Sequence, residues 1–208
     1  MKLFHTQTSP FVRKVMLAAH ELGLAQRIET VYLRPSPQAP DPELSRHNPL
    51  SKIPALVTDD GETLYDSVVI VDYLESVAAA DDAPRLTPLG PARWPVLRTQ
   101  ALCDGILEAG ILVFYERAQR PPQLHWQPWL DGQSAKVLQG LDALEADHDL
   151  TRDPTTASPN LAHLCLGATL GWLDFRRPVG DFREGRARLA AWFEAFAQRP
   201  SMVATHPS

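Results

Sequence analysis

Asn48-Pro49-Leu50-Ser51-Lys52-Ile53-Pro54-Ala55-Leu56 is the stretch that decides the fold of this chain. Its second proline opens a run suited to a strand, Ala55–Thr58. An X-Pro bond ahead of a strand is cis in roughly 5–6% of folded cases, and is usually purposeful when it is. A cis Ile53-Pro54 bond would leave the backbone N–H and C=O of Ile53 pointing outward, free to pair with an extended peptide. The plainer alternative is that Pro54 merely starts an edge strand, where a missing N–H is tolerated. Either way a strand follows. The turn Asp59-Asp60-Gly61 and the run Glu62–Tyr65 complete a β-hairpin.

Toward the N-terminus, Lys2–His5 reads as a short strand and Thr6 to Ser9 as a polar loop. Pro10 falls where a helix start tolerates it, since a first-turn residue has no N–H partner to lose. Val12, Val15, Met16, Ala19 and Leu22 then form one apolar stripe, and Gly23 is placed for a left-handed cap. Ile28–Leu33 resumes a β-like run, and the segment from Pro35 to Pro42 is too proline-rich for regular helix or an inner strand. Beyond the hairpin, Asp66 and Ser67 open a helix with the stripe Ile70, Tyr73, Leu74 and Val77. The order β-α-β, irregular crossing, β-β-α predicts a small α/β unit with a sheet of about four strands.

Composition shifts at residues 78–95, AAADDAPRLTPLGPARWP. We read residues 1–77 as one domain, 78–90 as a linker and 91–208 as a second domain. That domain carries helical spacing throughout: Leu102, Ile106, Ala109 and Val113; Val137, Leu141 and Leu144; Leu161, Leu164, Cys165, Ala168 and Trp172; Leu189, Trp192, Phe193 and Phe196. It is predicted to be all-helical.

The chain has 208 residues, 44% of them hydrophobic and 22% charged, enough to bury a core and to exclude wholesale disorder. A net charge of −5 argues against nucleic-acid binding, which needs surplus Lys and Arg. The opening MKLFHTQTSP holds no signal peptide, and no apolar run spans a membrane, so a cytoplasmic location is expected. Cys103 and Cys165 fall in apolar helical patterns and read as core. The seven histidines show no ligand spacing, so no metal is expected. Neither G-x-S-x-G nor a phosphate-binding glycine loop is present, which disfavours a serine hydrolase and nucleotide binding.

Two helix starts carry hydroxyls. In Thr8-Ser9-Pro10-Phe11 a hydroxyl lies at the positive end of a helix, beside unpaired N–H groups, which is either a plain N-cap or a site for an anion. Asp66-Ser67 has the same pair of readings. Phe114, Tyr115 and Trp172 are aromatics at helical spacing that either fill the core or line an apolar pocket; Trp172 is assigned to the core. Arg176-Arg177 is read as a partner of a helix C-terminal dipole ahead of an anion contact.

In combination these features resemble the glutathione transferase superfamily, whose members join a thioredoxin-like N-terminal domain to an all-α C-terminal helical bundle. SPFVRKV, NPLSKIPAL and YDSVVIVDYL fall in that family's order and spacing, and NLAHLCLGATLGWLDFRR resembles its buried C-terminal helix. The resemblance covers nearly the whole chain and is nearest to bacterial, serine-containing homologues. It implies that Ser9 faces the sulfur of glutathione, with Thr8 the alternative. It implies that Ile53, with Pro54 cis, bonds the cysteinyl part, that Asp66 and Ser67 hold the γ-glutamyl end, and that Lys52 meets a carboxylate. Asp104 is implied as a contact for the γ-glutamyl amine, and Phe11, Phe114 and Tyr115 as a pocket for a second substrate.

The implied activity is conjugation of the glutathione thiolate to a small, mostly apolar electrophile by a homodimer, as in detoxification, with glutathione as co-substrate. The alternatives are a non-catalytic interaction protein of the same fold and a glutathione-dependent isomerase or dehalogenase. Three departures from the family pattern matter. Ser9 replaces the cysteine of some classes, and serine cannot form a mixed disulfide. Ser51 stands where glycine is common, so a positive φ there would be strained. The buried helix start pairs Asn160 with His163 instead of a hydroxyl residue with Asp, so His163 can complete a reciprocal cap only as a neutral acceptor.

Overall fold

A computed structural model describes residues 1–80 and 85–207. They form two compact units, one of Met1–Leu86 joined by the residues from Ala204 onward, the other Thr87–Val203. The sequence assigned residues 204–207 to the helical domain, whereas they pack with the first unit. Four residues of the expected linker, 81–84, lie outside the described residues.

The first unit runs β1 (Lys2–His5), α1 (Pro10–Glu21), β2 (Glu29–Tyr32), α2 (Pro42–His47), β3 (Ala55–Val57), β4 (Thr63–Leu64) and α3 (Ser67–Ala79). The sheet order is β2-β1-β3-β4. β1 pairs parallel with β2, Leu3 beside Thr30, and antiparallel with β3, Phe4 beside Ala55; β3 pairs antiparallel with β4, Leu56 beside Leu64. Parallel pairing of β1 and β2 requires the crossover that α1 supplies. Phe4, Leu44 and Ala55 form a core cluster against which Val31, Leu33, Ile53 and Val57 pack.

α1 buries Val12, Val15, Ala19 and Leu22 as the stripe predicts, with Met16 half-buried, and Gly23 follows at φ 71°. Arg13 and Lys14, outside that stripe, are buried as well. Burial lowers the Arg13 guanidinium to about 10, and its Nε donates to Thr205 Oγ1 at 3.4 Å. α3 buries Ile70, Val71, Leu74 and Ala78, with Tyr73 and Val77 at the margin of the stripe. α2 interrupts the expected irregular crossing. Pro42 opens it, and Asp41 Oδ1 accepts from the N–H groups of Glu43 (2.8 Å) and Leu44 (3.0 Å).

The second unit consists of α4 (Arg93–Gln119), α5 (Gln127–Ala146), α6 (Leu161–Arg176) and α7 (Ala187–Phe196), followed by α8 (Pro200–Ala204), which crosses the boundary. All the described elements here are helical, as predicted. α6 is buried on nearly every side and holds Cys165 and Trp172 in the core, while Cys103 of α4 is buried likewise. Glycines let the helices approach. A Cβ on Gly110 would lie 2.9 Å from the Trp172 ring, and one on Gly140 would lie 2.5 Å from Ile106 Cγ1. The start of α6 carries the reciprocal cap: Asn160 N–H donates to His163 Nδ1 (3.1 Å), and His163 N–H donates to Asn160 Oδ1 (3.3 Å).

Candidate functional site

Strand register decides which loops meet. β1 runs toward His5 while antiparallel β3 starts opposite Phe4, so the exit of β1 and the entry of β3 share one end of the sheet. β4 runs antiparallel to β3, so its exit lies at that same end. Continuing both ladders past their last pairs sets Pro54 between His5 and Asp66. The sheet therefore gathers Thr6–Ser9, Ile53-Pro54 and Asp66-Ser67, three segments far apart in sequence, at one edge.

Ser9 is the N-cap of α1, half-buried, and its Oγ accepts from the Val12 N–H at 3.3 Å. The hydroxyl hydrogen has no acceptor among the described residues, so the side chain caps the helix and keeps a donor to offer. Thr8, one residue earlier, lies outside the helix and does not cap it. Ser67 is the first residue of α3 and is buried, while Asp66 caps that helix through Oδ1, which accepts from the Val68 N–H at 3.1 Å. The Tyr65-Asp66 bond is cis. Two helix N-termini thus present partial positive charge and hydroxyl groups at one sheet end.

Between them lies Ile53. The Ile53-Pro54 bond is cis. The side chain of Ile53 packs toward the Phe4 cluster, and its peptide N–H and C=O have no partner among the described residues. An unpaired, accessible peptide edge next to a strand suits an extended peptide ligand. The loop before it is held by Asn48, which is buried: Nδ2 donates to Lys52 O (2.8 Å), Oδ1 accepts from the Leu50 N–H (3.0 Å), and its carbonyl accepts from the Ser51 N–H (2.8 Å). Sequence reasoning gave Asn48 no part, although Asn before Pro is a recognisable turn former. Ser51 adopts φ 49°, the left-handed backbone that would favour glycine, and its Oγ accepts from the Asp41 N–H at 3.0 Å. Lys52 is exposed.

His5, also not singled out from sequence, ends β1 at this edge. Burial holds its imidazole below the usual range, against a backbone hydrogen bond at Thr6 that acts the other way. Phe11 lies in the first turn of α1, half-buried, with Lys14 Nζ 5.7 Å from its ring centre. The other expected site residues belong to the second unit. Asp104 lies on α4 ten residues before Phe114, about 15 Å along the axis at 1.5 Å per residue, so the two are not one cluster. The rings of Phe114 and Tyr115 are 5.6 Å apart. Among the described residues no group of three or more His, Cys, Asp or Glu is placed to hold a metal, and no helix is long and apolar enough to cross a membrane.

Comparison with known proteins accords with this geometry. Residues 8–77 match the family model for the glutathione S-transferase N-terminal domain and residues 127–195 that for the C-terminal domain. The chain is 33% identical over 210 residues to the uncharacterised GST-like protein YibF of Escherichia coli K12, covering all of this chain and 98% of that one. A glutathione transferase family member from Pseudomonas fluorescens Pf-5, solved with bound glutathione, is 44% identical with a TM-score of 0.90, over 100% of this chain and 98% of the other. A structure described likewise, with bound S-(propanoic acid)-glutathione, gives 42% identity and a TM-score of 0.87 over the whole of both chains. Both units, in order and over their full length, are accounted for by one relationship: the chain belongs to the glutathione transferase superfamily and has its fold.

Proposed function

We propose that this protein is a glutathione transferase that binds glutathione at the sheet end and joins its sulfur to a small electrophile. The observation that carries the reading is the unpaired Ile53 peptide group, set between two helix N-termini that both present hydroxyls. Ile53 receives the backbone of the cysteinyl part. Asp66 and Ser67, at the N-terminus of α3, hold the γ-glutamyl end, and Lys52 reaches a carboxylate from the exposed loop. Structures of relatives at 44% and 42% identity hold glutathione and a glutathione carrying an acid group on sulfur, which supports both the ligand and an S-substituted product.

Ser9 supplies the chemistry as a donor. A thiol with an ordinary pKa of about 8.5 is only about 3% ionised at pH 7. A hydrogen bond to a charged acceptor contributes roughly 1.5–3 kcal/mol and a helix N-terminus about 0.3–1. At about 1.36 kcal/mol per pKa unit, a two-unit depression is within reach and leaves about three-quarters of the thiol ionised, some 25-fold more nucleophile. Holding an electrophile beside the sulfur accounts for the remaining acceleration. Phe114 and Tyr115, their rings 5.6 Å apart, are the aromatic side chains assigned to the second substrate, and the working unit is a homodimer.

Calorimetric titration with glutathione and turnover of 1-chloro-2,4-dinitrobenzene by wild type and Ser9→Ala test this. Binding together with at least a tenfold drop in kcat/KM for the variant at neutral pH is expected. Unchanged turnover removes Ser9 from the mechanism, and the absence of any binding heat or competition overturns the assignment.

A further inference from the structure

The C-terminal ends of α4 and α6 are rich in arginine, and their cations are almost all committed. Arg120 pairs with Glu116 at 2.8 Å, Arg177 with Asp174 at 3.7 Å, and Arg183 with Asp174 at 2.7 Å and Asp181 at 3.2 Å. Arg117 Nη1 donates to the Pro178 carbonyl at 2.6 Å. Arg176 differs from all of these. Its guanidinium carbon lies 4.7 Å from the centre of the Phe114 ring and 4.6 Å from that of Phe175, and among the described residues it has no carboxylate or carbonyl partner.

That arrangement has a chemical meaning. A ring over a guanidinium occupies its flat face and leaves the N–H groups, which lie in its plane, without acceptors. Those groups form a fork matched to a carboxylate. Arg176 is half-buried and Phe175 is exposed, so the fork is reachable and yet partly shielded from water. Tyr115, its ring 5.6 Å from that of Phe114, extends the apolar wall. A role limited to the α6 dipole needs the charge alone and neither ring.

We propose that Arg176 is a specificity residue that receives a carboxylate carried on a flat, apolar second substrate. The word substrate rests on the transferase reading above; recognition of the acid does not.

A matched pair of compounds tests it: 4-chloro-3-nitrobenzoate and its neutral amide, measured by titration calorimetry without glutathione and by kcat/KM with it. Wild type is expected to prefer the acid by about tenfold, as a partly exposed charge-assisted hydrogen bond allows. Arg176→Gln should abolish that preference, Arg176→Lys should retain part of it, and Arg177→Gln should leave it intact. Equal binding of acid and amide by wild type overturns the proposal, as does a preference that survives in a folded Arg176→Gln. Should Arg176→Gln fail to fold, a Lys variant with undiminished preference overturns the fork geometry. Weaker glutathione binding in Arg176→Gln shows that the residue serves the tripeptide, which also overturns it. Acid-selective, Arg176-dependent binding without any turnover sinks the transferase reading and leaves this site standing.

Discussion

One oxygen at Ser9 serves two ends, accepting from the Val12 N–H while its own hydrogen stays available. Substitutions can separate these roles. Ser9→Ala removes both and should destabilise by about 1 kcal/mol, while Ser9→Gly removes the donor but costs the cap only a few tenths. Both variants should lose the ultraviolet signature of bound thiolate, and only Ala should shift the denaturation midpoint markedly. A thiolate band surviving in Ser9→Gly would show that backbone N–H groups alone hold the anion. Ser51 offers a second dissection. Its left-handed backbone costs a non-glycine residue about 1–2 kcal/mol, and its Oγ contributes a hydrogen bond of about 1 kcal/mol. Ser51→Ala should therefore lose about 1 kcal/mol in urea denaturation, and Ser51→Gly should stay near neutral because relief and loss offset. Equal losses in both variants would show that the conformation carries no strain.

At the scale of elements, α5 contains its own control. Gly132 is exposed with nothing near its missing Cβ, whereas a Cβ added to Gly140 would lie 2.5 Å from Ile106 Cγ1. Gly132→Ala should stabilise by about 0.5–1 kcal/mol through helix propensity, and Gly140→Ala should destabilise by about 1–3 kcal/mol through overpacking. Thermal unfolding that moved both variants in one direction would contradict the close α4–α5 approach. Much of the fold was legible because its signals are local. β1, the Pro10 and Ser67 helix starts, the Gly23 cap and the hairpin each lie within a few residues of the feature that announces them. The burial of Arg13 and Lys14 was not legible, because a helix pattern cannot show how many sides will be covered. α2 escaped because six residues with one buried leucine leave no periodicity to find. The convergence of Ser9, Ile53 and Ser67 depends on strand register, which spacing does not encode. Asn48 and His5 act only once that register exists.

For the molecule as a whole, acid is the condition that matters. His5 in one unit and His163 in the other are both held below the usual imidazole range by burial, with the charge of Arg199 adding at His163 and Asp153 opposing. Each is harder to protonate when folded than when unfolded, so below about pH 6.5 the unfolded chain takes up more protons. The stability they contribute is complete above about pH 6.5 and is lost as pH falls through the lowered folded values. At His163 the loss is structural as well, since a proton on Nδ1 would face the Asn160 N–H donor. His163→Asn keeps an acceptor at the same distance from Cβ and cannot titrate. It gives up the stacking on Trp192, so it should be less stable at pH 8 but decline less steeply toward pH 5. Urea midpoints across that range decide this, and an equally steep decline would clear His163 of the effect.

Thr205 meets Arg13 inside the unit that the chain begins to build first. During synthesis the ribosome releases residue 205 only after the whole helical unit has been threaded out. The nascent N-terminal half thus waits, with a cation inside its first helix, for a hydroxyl made some 190 residues later. That internal contact therefore forms only after the whole helical unit has been made, not along the way.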